Sequence, residues 1–184
     1  MYIAGLNLTD IANGTGCRVS LFVSGCDFHC PGCFNPEAQH FSFGEPYTEH
    51  TLETILNQLS HDHIHGLTVL GGEPLHPNNI ECVYSLIYEV KTMYPNKDIW
   101  VYSGYTYEDL VKRSATERYV RELFFDDNPL VDILVDGPFI MALKDHALAF
   151  RGSSNQRIID VHHSSPKAPH IIHLDQEAPA WRHA

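Results

Sequence analysis

Short apolar runs that end in glycine or in polar residues recur along this chain of 184 residues. Runs of this kind are typical of strands that are buried on both faces of a parallel sheet. Four runs are clear, and they cover residues 19–23, 67–70, 99–102 and 131–135. Two weaker candidates cover residues 147–150 and 157–161. The sequence therefore predicts a parallel sheet.

Amphipathic stretches lie between these runs. Their apolar residues recur with the i, i+3, i+4, i+7 spacing of a helix that buries one face. They are Leu52, Ile55, Leu56 and Leu59 in one stretch, and Ile80, Val83, Tyr84, Ile87, Val90 and Tyr94 in the next. Residues 107–125 predict one broken helix or two short ones. Strands that alternate with helices imply βα units with right-handed crossovers.

The number of strands decides between the α/β architectures. Four clear strands are too few for an eight-stranded barrel. We therefore predict an α/β fold that is either a partial (βα) barrel or an open, curved parallel sheet. Residues 1–161 carry this pattern and predict one domain. From His162 the chain is rich in histidine, proline and alanine, so residues 162–184 are predicted to be a poorly ordered tail.

The charge balance excludes several classes of partner. With 12 Lys and Arg against 23 Asp and Glu, the formal net charge is −11. A nucleic-acid-binding surface needs clustered cations, so we expect no nucleic-acid partner. No apolar run approaches the roughly 20 residues that span a bilayer, and we see no signal-peptide pattern. We expect a cytoplasmic protein that has no membrane partner and meets a protein or a small molecule.

Three of the five cysteines lie close together, as Cys26, Cys30 and Cys33. Their C-x3-C-x2-C spacing begins directly after the first clear strand run. In a reducing compartment, such a cluster more often binds metal than forms disulfides. Thiolates suit iron–sulfur clusters, zinc or Cu(I). Four thiolates would close a cubane cluster, whereas three leave one iron open for another ligand.

Two alternatives exist for these cysteines. One is a zinc site in which His29 joins the three thiolates, although the spacing is unusual for zinc. The other is a loop of unligated cysteines. Cys17 is a further candidate ligand, but we interpret Cys17 and Cys82 as structural, because a free cysteine often behaves as a small buried hydrophobe.

Glycine-rich or polar segments follow each of the four predicted strands. The cysteine segment follows the first, residues 71–74 (GGEP) the second, Ser103 the third and Asp136 the fourth. Because the carboxyl ends of parallel strands share one edge, where ligand sites gather, we expect these segments to converge. Ser103 and Asp136 are candidate pocket residues, and a simple turn at the strand end is the alternative for both.

The cysteine and glycine motifs together resemble the signature of the radical-SAM superfamily. C-x3-C-x2-C after a first strand and GGEP after a second are similar to the cysteine and GGE motifs of that superfamily. The resemblance implies a radical-SAM type sheet and a [4Fe–4S] cluster on the catalytic residues Cys26, Cys30 and Cys33. It also implies that the open iron binds S-adenosylmethionine (SAM), whose sulfonium is cleaved by one electron to methionine and a 5′-deoxyadenosyl radical.

The resemblance assigns cofactor-binding roles as well. The candidates are Gly32, Cys33, Phe34, Gly71, Gly72, Glu73, Ser103 and Asp136. Glycines allow a backbone to approach a ligand closely, and the GGE segment is implied to position the methionine amino group. Many members place an aromatic residue directly before the third cysteine. Here that position is Gly32, so Phe34 becomes the candidate for packing on adenine.

Further segments resemble the activating proteins of anaerobic, glycyl-radical ribonucleotide reductases. They are residues 13–16 (NGTG), 21–25 (LFVSG), 30–33 (CPGC), 72–77 (GEPLHP), 98–105 (DIWVYSGY), 132–139 (DILVDGPF) and 151–161 (RGSSNQRIIDV). This resemblance covers residues 1–161. It implies an oxidoreductase that generates a glycyl radical on the reductase catalytic subunit and takes its electron from a reduced flavodoxin-like donor.

Two other functions are compatible with the same motifs. An activase of another glycyl-radical enzyme, of the pyruvate formate-lyase type, shares the cysteine spacing, but residues 151–161 argue against it. A non-catalytic zinc or iron–sulfur module would not cleave SAM. Residues 151–161 themselves have two candidate roles, docking of the reductase or closure of the sheet.

Overall fold

The four apolar runs form the parallel centre of one sheet in the computed structural model, which describes residues 1–174. Antiparallel strands flank this centre on both sides, and the strand order is β3-β1-β2-β4-β5-β6-β7-β8. The strands are β1 (Tyr2–Asp10), β2 (Cys17–Val23), β3 (Glu45–Pro46), β4 (Ile64–Gly71), β5 (Asp98–Tyr102), β6 (Ile133–Asp136), β7 (Arg157–Ser165) and β8 (Ala168–Ile172). Parallel pairing links β2, β4, β5 and β6 in that order.

The sheet is mixed rather than purely parallel, which corrects the prediction at both edges. β1 and β3 pair antiparallel before the parallel centre, and β7 and β8 do so after it. Across the described residues the strand order runs from β3 to β8 without returning to its start, so the sheet is open. The weak strand predicted at residues 147–150 is instead a series of turns, because this segment leaves the sheet and covers one side of a cavity.

Residues 162–174 of the predicted tail take part in the sheet. β7 continues past His162 to Ser165, and β8 pairs back along it. Ile172 and Leu174 pack against a small apolar cluster on the sheet. The remaining tail, residues 175–184, lies outside the described part of the chain.

Four helices connect the strands where apolar periodicity predicted them. They are α1 (Glu49–Leu59), α2 (Ile80–Met93), α3 (Tyr107–Ser114) and α4 (Arg118–Phe124), so residues 107–125 form two short helices. Thr48 and Thr106 begin α1 and α3 with capping boxes, in which side chain and backbone satisfy each other's hydrogen bonds. None of the helices in residues 1–174 is both long and apolar enough to cross a membrane.

The helices pack on one face of the sheet. Alternate residues of a strand point to opposite faces, and Val19, Leu21 and Val69 join the helices in the main apolar core. Trp100, in β5, belongs to a smaller cluster on the opposite face. That opposite face is where polar groups and a cavity are found.

Arg18 is fully buried on the face away from the helices. Its guanidinium donates to Oδ1 of Asp98 (2.6 Å) and to Oγ1 of Thr68 (2.8 Å). It also donates to the carbonyl oxygens of Leu67 (3.0 Å) and Thr15 (3.1 Å). Arg18 therefore ties the loop before β2 to the middle of the sheet.

Replacing Arg18 with alanine should lower the free energy of unfolding by about 3 kcal/mol. The substitution leaves Asp98 and two carbonyl oxygens without their donor, and the partial exposure of Asp98 keeps the loss at the lower end of the usual range. Urea unfolding of the metal-free protein measures the change. Arg118→Ala, which removes an exposed ion pair with Glu122, is the control and should cost much less. Equal losses in the two variants would contradict this role of Arg18.

Candidate functional site

A cavity of about 500 Å³ lies at the carboxyl ends of the parallel strands, on the face away from the helices. This volume is within the roughly 300–1,000 Å³ of small-molecule sites. Phe22, Leu70 and Tyr102, from three neighbouring strands, form part of its wall. The predicted site residues that line it are Cys26, Cys30, Cys33, Phe34, Gly71, Gly72, Glu73 and Ser103. The structure therefore brings these residues together at one edge of the sheet.

The cysteine loop, residues 26–33, leaves the end of β2 and lies against the chain that follows it. The backbone N–H groups of Gly25 and Cys26 donate to the carbonyl oxygens of Ala38 (2.7 Å) and Gln39 (3.0 Å). The start of the cysteine loop is thus held by main-chain bonds to residues 38 and 39.

The three thiols of the loop are free and partly buried. Burial raises the pKa of the Cys26 thiol to about 11; a hydrogen bond from the backbone of Phe28 opposes this shift, and the charges of Glu73, Cys30 and Cys33 add to it. The thiols are therefore close enough to influence one another, and Cys26 is protonated at neutral pH in the metal-free protein. A metal centre that binds here must displace that proton.

The donor set fits an iron–sulfur cluster better than a single ion. Among residues 1–174, no group of three or more His, Cys, Asp or Glu side chains is arranged to hold one metal ion. His29, the proposed fourth zinc ligand, makes a hydrogen bond with Oε1 of Gln39 through its Nδ1 (2.9 Å). Cys17 begins β2 at the end opposite the cysteine loop, and Cys82 lies in α2. Three soft thiolates on one cavity remain as the ligand set that suits iron and sulfide.

The glycine turn after β4 is joined directly to the start of the cysteine loop. The N–H of Gly72 donates to the carbonyl oxygen of Val23 (2.7 Å), and the N–H of Glu73 donates to that of Gly25 (2.8 Å). Gly71 has a φ of 108°, and a Cβ on Gly72 would lie 2.7 Å from the carbonyl oxygen of Gly25. Only glycine fits so close an approach of two backbones.

The Glu73 carboxylate extends this connection to the turn after β5. It is buried; its Oε1 accepts from the N–H of Leu75 (2.9 Å) and the hydroxyl of Ser103 (2.8 Å), and its Oε2 accepts from the N–H of Gly104 (2.7 Å). Burial raises the pKa of Glu73 to about 7, against the effect of these hydrogen bonds. Ser103 lines the cavity, as predicted, but its proton is committed to Glu73.

Asp136 does not line the cavity, which differs from the prediction. It accepts the backbone N–H of Tyr107 (2.7 Å) and forms a buried ion pair with Arg157. The last residue of β6 therefore points to a helix N-terminus and a neighbouring strand, and Gly137, the residue after it, reaches the cavity. The alternative interpretation of Asp136, a structural residue at a strand end, fits this placement.

Comparison with known proteins finds a family model and several named relatives. A family model described as a 4Fe-4S single cluster domain matches residues 12–159. A relative from Salmonella typhimurium, an anaerobic ribonucleoside-triphosphate reductase-activating protein, is 41% identical over 156 residues, which make up 84% of this chain and 93% of the relative. Relatives with the same name come from Escherichia coli K12 (40% over 156 residues, 84% and 93%) and Enterobacteria phage T4 (39% over 149 residues, 81% and 87%).

This chain belongs to the family of anaerobic ribonucleoside-triphosphate reductase-activating proteins. The resemblance to the activating proteins of anaerobic ribonucleotide reductases is thereby confirmed. The 4Fe-4S model spans the three cysteines, the glycine turn and Ser103, so it covers the residues that the structure brings to the cavity.

In this member of the family, part of the cavity comes from residues that the sequence did not predict. Phe139, Phe150 and Gln156 line it from the segment between β6 and β7. Gly137, with a φ of 94°, is the signal that could have located them, because it turns the chain at the end of β6. Residues 157–161 extend the open sheet, since β7 begins at Arg157 and pairs with β6, and they do not close it.

Replacing Glu73 with glutamine should change how stability depends on pH. The pKa of Glu73 is about 7 in the folded protein against an ordinary value of 4.5. The native state therefore binds this proton more tightly than the unfolded state, and the free energy of unfolding falls as the pH rises between these values. Glutamine stays neutral and should lack this fall.

Urea unfolding of both proteins at about pH 5 and about pH 7.5 measures this effect. The NH2 group of glutamine would face a backbone N–H that now donates to Glu73, so the substitution lowers the free energy of unfolding by a similar amount at every pH. A difference between wild type and Glu73→Gln that is the same at both pH values would contradict the raised pKa.

Proposed function

We propose that this chain activates an anaerobic ribonucleoside-triphosphate reductase and does so by radical-SAM chemistry. One observation carries the proposal: the glycine turn after β4 and the cysteine loop after β2 line the same cavity. Two backbone hydrogen bonds join the turn to the chain that leads into the loop. A metal centre on the thiols and a ligand on the turn would be neighbours. A non-catalytic iron–sulfur or zinc module gives no reason for such a turn beside the thiols.

The residues of the cavity divide between two cofactors. Cys26, Cys30 and Cys33 would hold a [4Fe–4S] cluster and leave its fourth iron open for SAM. Bound together, the two groups supply one-electron cleavage of the sulfonium and abstraction of a hydrogen atom from a glycine of the reductase. The sheet, open and with its ligands at the carboxyl edge, would then be of the radical-SAM type.

The protein's own groups would bind SAM and orient it. The N–H groups of Gly72 and Glu73 are used within the protein, as is the carbonyl oxygen of Glu73, so the carbonyl oxygen of Gly72 is the one suited to the methionine amino group. Ser103, whose proton is used by Glu73, would accept a hydrogen bond from a ribose hydroxyl. Phe34, which is 61% exposed at the cavity, and the backbone of the cysteine loop at Gly32 would lie against the nucleoside.

Two partner proteins follow from this chemistry. Iron–sulfur potentials span roughly −700 to +450 mV, and cleavage of a sulfonium requires the low end of that range. We therefore propose a strong one-electron donor, such as a reduced flavodoxin-like protein. The second partner is the catalytic subunit of the reductase, which carries the glycine.

Anaerobic reconstitution with iron and sulfide should give a brown protein with the absorption and Mössbauer spectra of a [4Fe–4S] cluster. Cys30→Ala should abolish stable cluster binding, because two thiolates cannot replace three. Cys82→Ala, which removes a thiol from α2, is the matched control and should bind iron like the wild type. A cluster that survives in Cys30→Ala would contradict the ligand assignment.

Mixing the reduced, reconstituted protein with SAM and an anaerobic reductase should produce a glycyl radical signal in electron paramagnetic resonance (EPR). Pyruvate formate-lyase, incubated in the same way, should stay silent. A signal from pyruvate formate-lyase and none from the reductase would transfer the activity to the other class of glycyl-radical enzyme. Silence from both with an intact cluster would indicate a non-catalytic module.

A further inference from the structure

We propose that Gln156 is a positioning residue that holds a cover segment over the cysteine loop and so protects a bound cluster from iron loss. The cover segment is residues 137–143, which leave the end of β6 and cross the cavity. This inference rests on the proposed function, because it concerns the cluster assigned there. It gives a role to the RGSSNQ motif, residues 151–156, which the cofactor-binding residues do not use.

The cover segment lies directly on the cysteine loop. The ring of Phe139 packs edge-on against Phe34, with centroids 5.4 Å apart. The sulfur of Met141 lies 2.8 Å from the position that a Cβ on Gly32 would occupy. The cover segment thus packs on the cysteine loop at Gly32 and on Phe34, the residue that follows Cys33.

Side chains of the following turn hold the cover segment in place. Nδ2 of Asn155 donates to the carbonyl oxygen of Pro138 (2.8 Å), and the N–H of Ile140 donates to the hydroxyl oxygen of Ser153 (3.1 Å). The cover segment belongs to no strand of the described sheet. Its position therefore depends on these contacts with residues 152–156 and on the N–H of Gly137, which donates to the carbonyl oxygen of Tyr105 (3.2 Å).

Gln156 is the residue that connects the turn to the start of the cover segment. Its Oε1 accepts from the N–H groups of Gly152 (2.9 Å) and Ser153 (3.2 Å), and its Nε2 donates to the carbonyl oxygen of Gly137 (3.0 Å). Only one orientation of the amide satisfies two donors on one side and an acceptor on the other. The role of Gln156 therefore depends on the hydrogen bonds of its amide and not only on the volume of its side chain.

Glutamate has the same shape as glutamine but lacks the donor. In Gln156→Glu a carboxylate oxygen would face the carbonyl oxygen of Gly137, and the repulsion would release the start of the cover segment. The packing of Phe139 on Phe34 would loosen with it. Solvent would then reach the loop, and solvent exposure influences an iron–sulfur cluster.

The test compares reconstituted wild type, Gln156→Glu and Gln58→Glu. Gln58 lies on α1, on the face away from the cavity, so the control adds the same charge without touching the site. The anaerobic transfer of iron to the chelator bathophenanthroline disulfonate is followed over time. We expect iron loss from Gln156→Glu to be about tenfold faster than from wild type, the factor that a buried unpaired acceptor typically costs. Gln58→Glu should match the wild type.

A second measurement separates positioning from a general loss of stability. The EPR spectrum of the reduced cluster without SAM should change in Gln156→Glu and not in Gln58→Glu, because only the first alters the solvent exposure of the cysteine loop. If Gln156→Glu loses iron at the wild-type rate and its EPR spectrum is unchanged, the inference is overturned.

A second variant keeps the inference testable if Gln156→Glu does not fold. Phe139→Leu removes the ring that packs on Phe34 and leaves the turn intact, and it should also release iron faster. Wild-type iron retention in Phe139→Leu would then overturn the inference. A wild-type protein that assembles no cluster would instead refute the proposed function, so the two failures are distinguishable.

Discussion

Two backbone hydrogen bonds, from Gly72 to Val23 and from Glu73 to Gly25, join the glycine turn to the cysteine loop. They form because β2 and β4 are neighbouring parallel strands whose ends leave the sheet at the same edge. They also require glycine, since a Cβ on Gly72 would press on the carbonyl oxygen of Gly25. The buried carboxylate of Glu73 then carries the connection to the end of β5. The cavity, the placement of the thiols and the proposed chemistry all depend on this contact.

The parts of the fold that the sequence predicts are those with a strong local signal. Central strands are continuous apolar runs and helices carry apolar stripes, so both were located. The strands β1 and β8, which lie outside the parallel centre, are half exposed and form only by pairing with a neighbour, which no local pattern reports. Residues 147–150 look like a strand because they are apolar, yet Phe150 packs on Trp100 from a loop.

The site shows the same division. The cysteines and glycines follow from motif spacing, because thiolate ligation and close backbone approach each demand one residue type. The directions of polar side chains do not follow, since they depend on partners far along the chain. Asp136 turns to Arg157, and Ser103 gives its proton to Glu73. Gln156 belongs to this second class, because its role is visible only once the segment after β6 is placed over the cysteine loop.

The central claim is that three thiolates hold a cubane cluster whose fourth iron is free to bind SAM. Electron–nuclear double resonance of the reduced cluster with SAM labelled by ¹⁵N at the amino group tests it most directly. We predict a hyperfine coupling between the cluster and the labelled nitrogen, as expected for an amino group bound to iron. A cluster that shows no such coupling, with all four irons ligated by the protein, would contradict the claim.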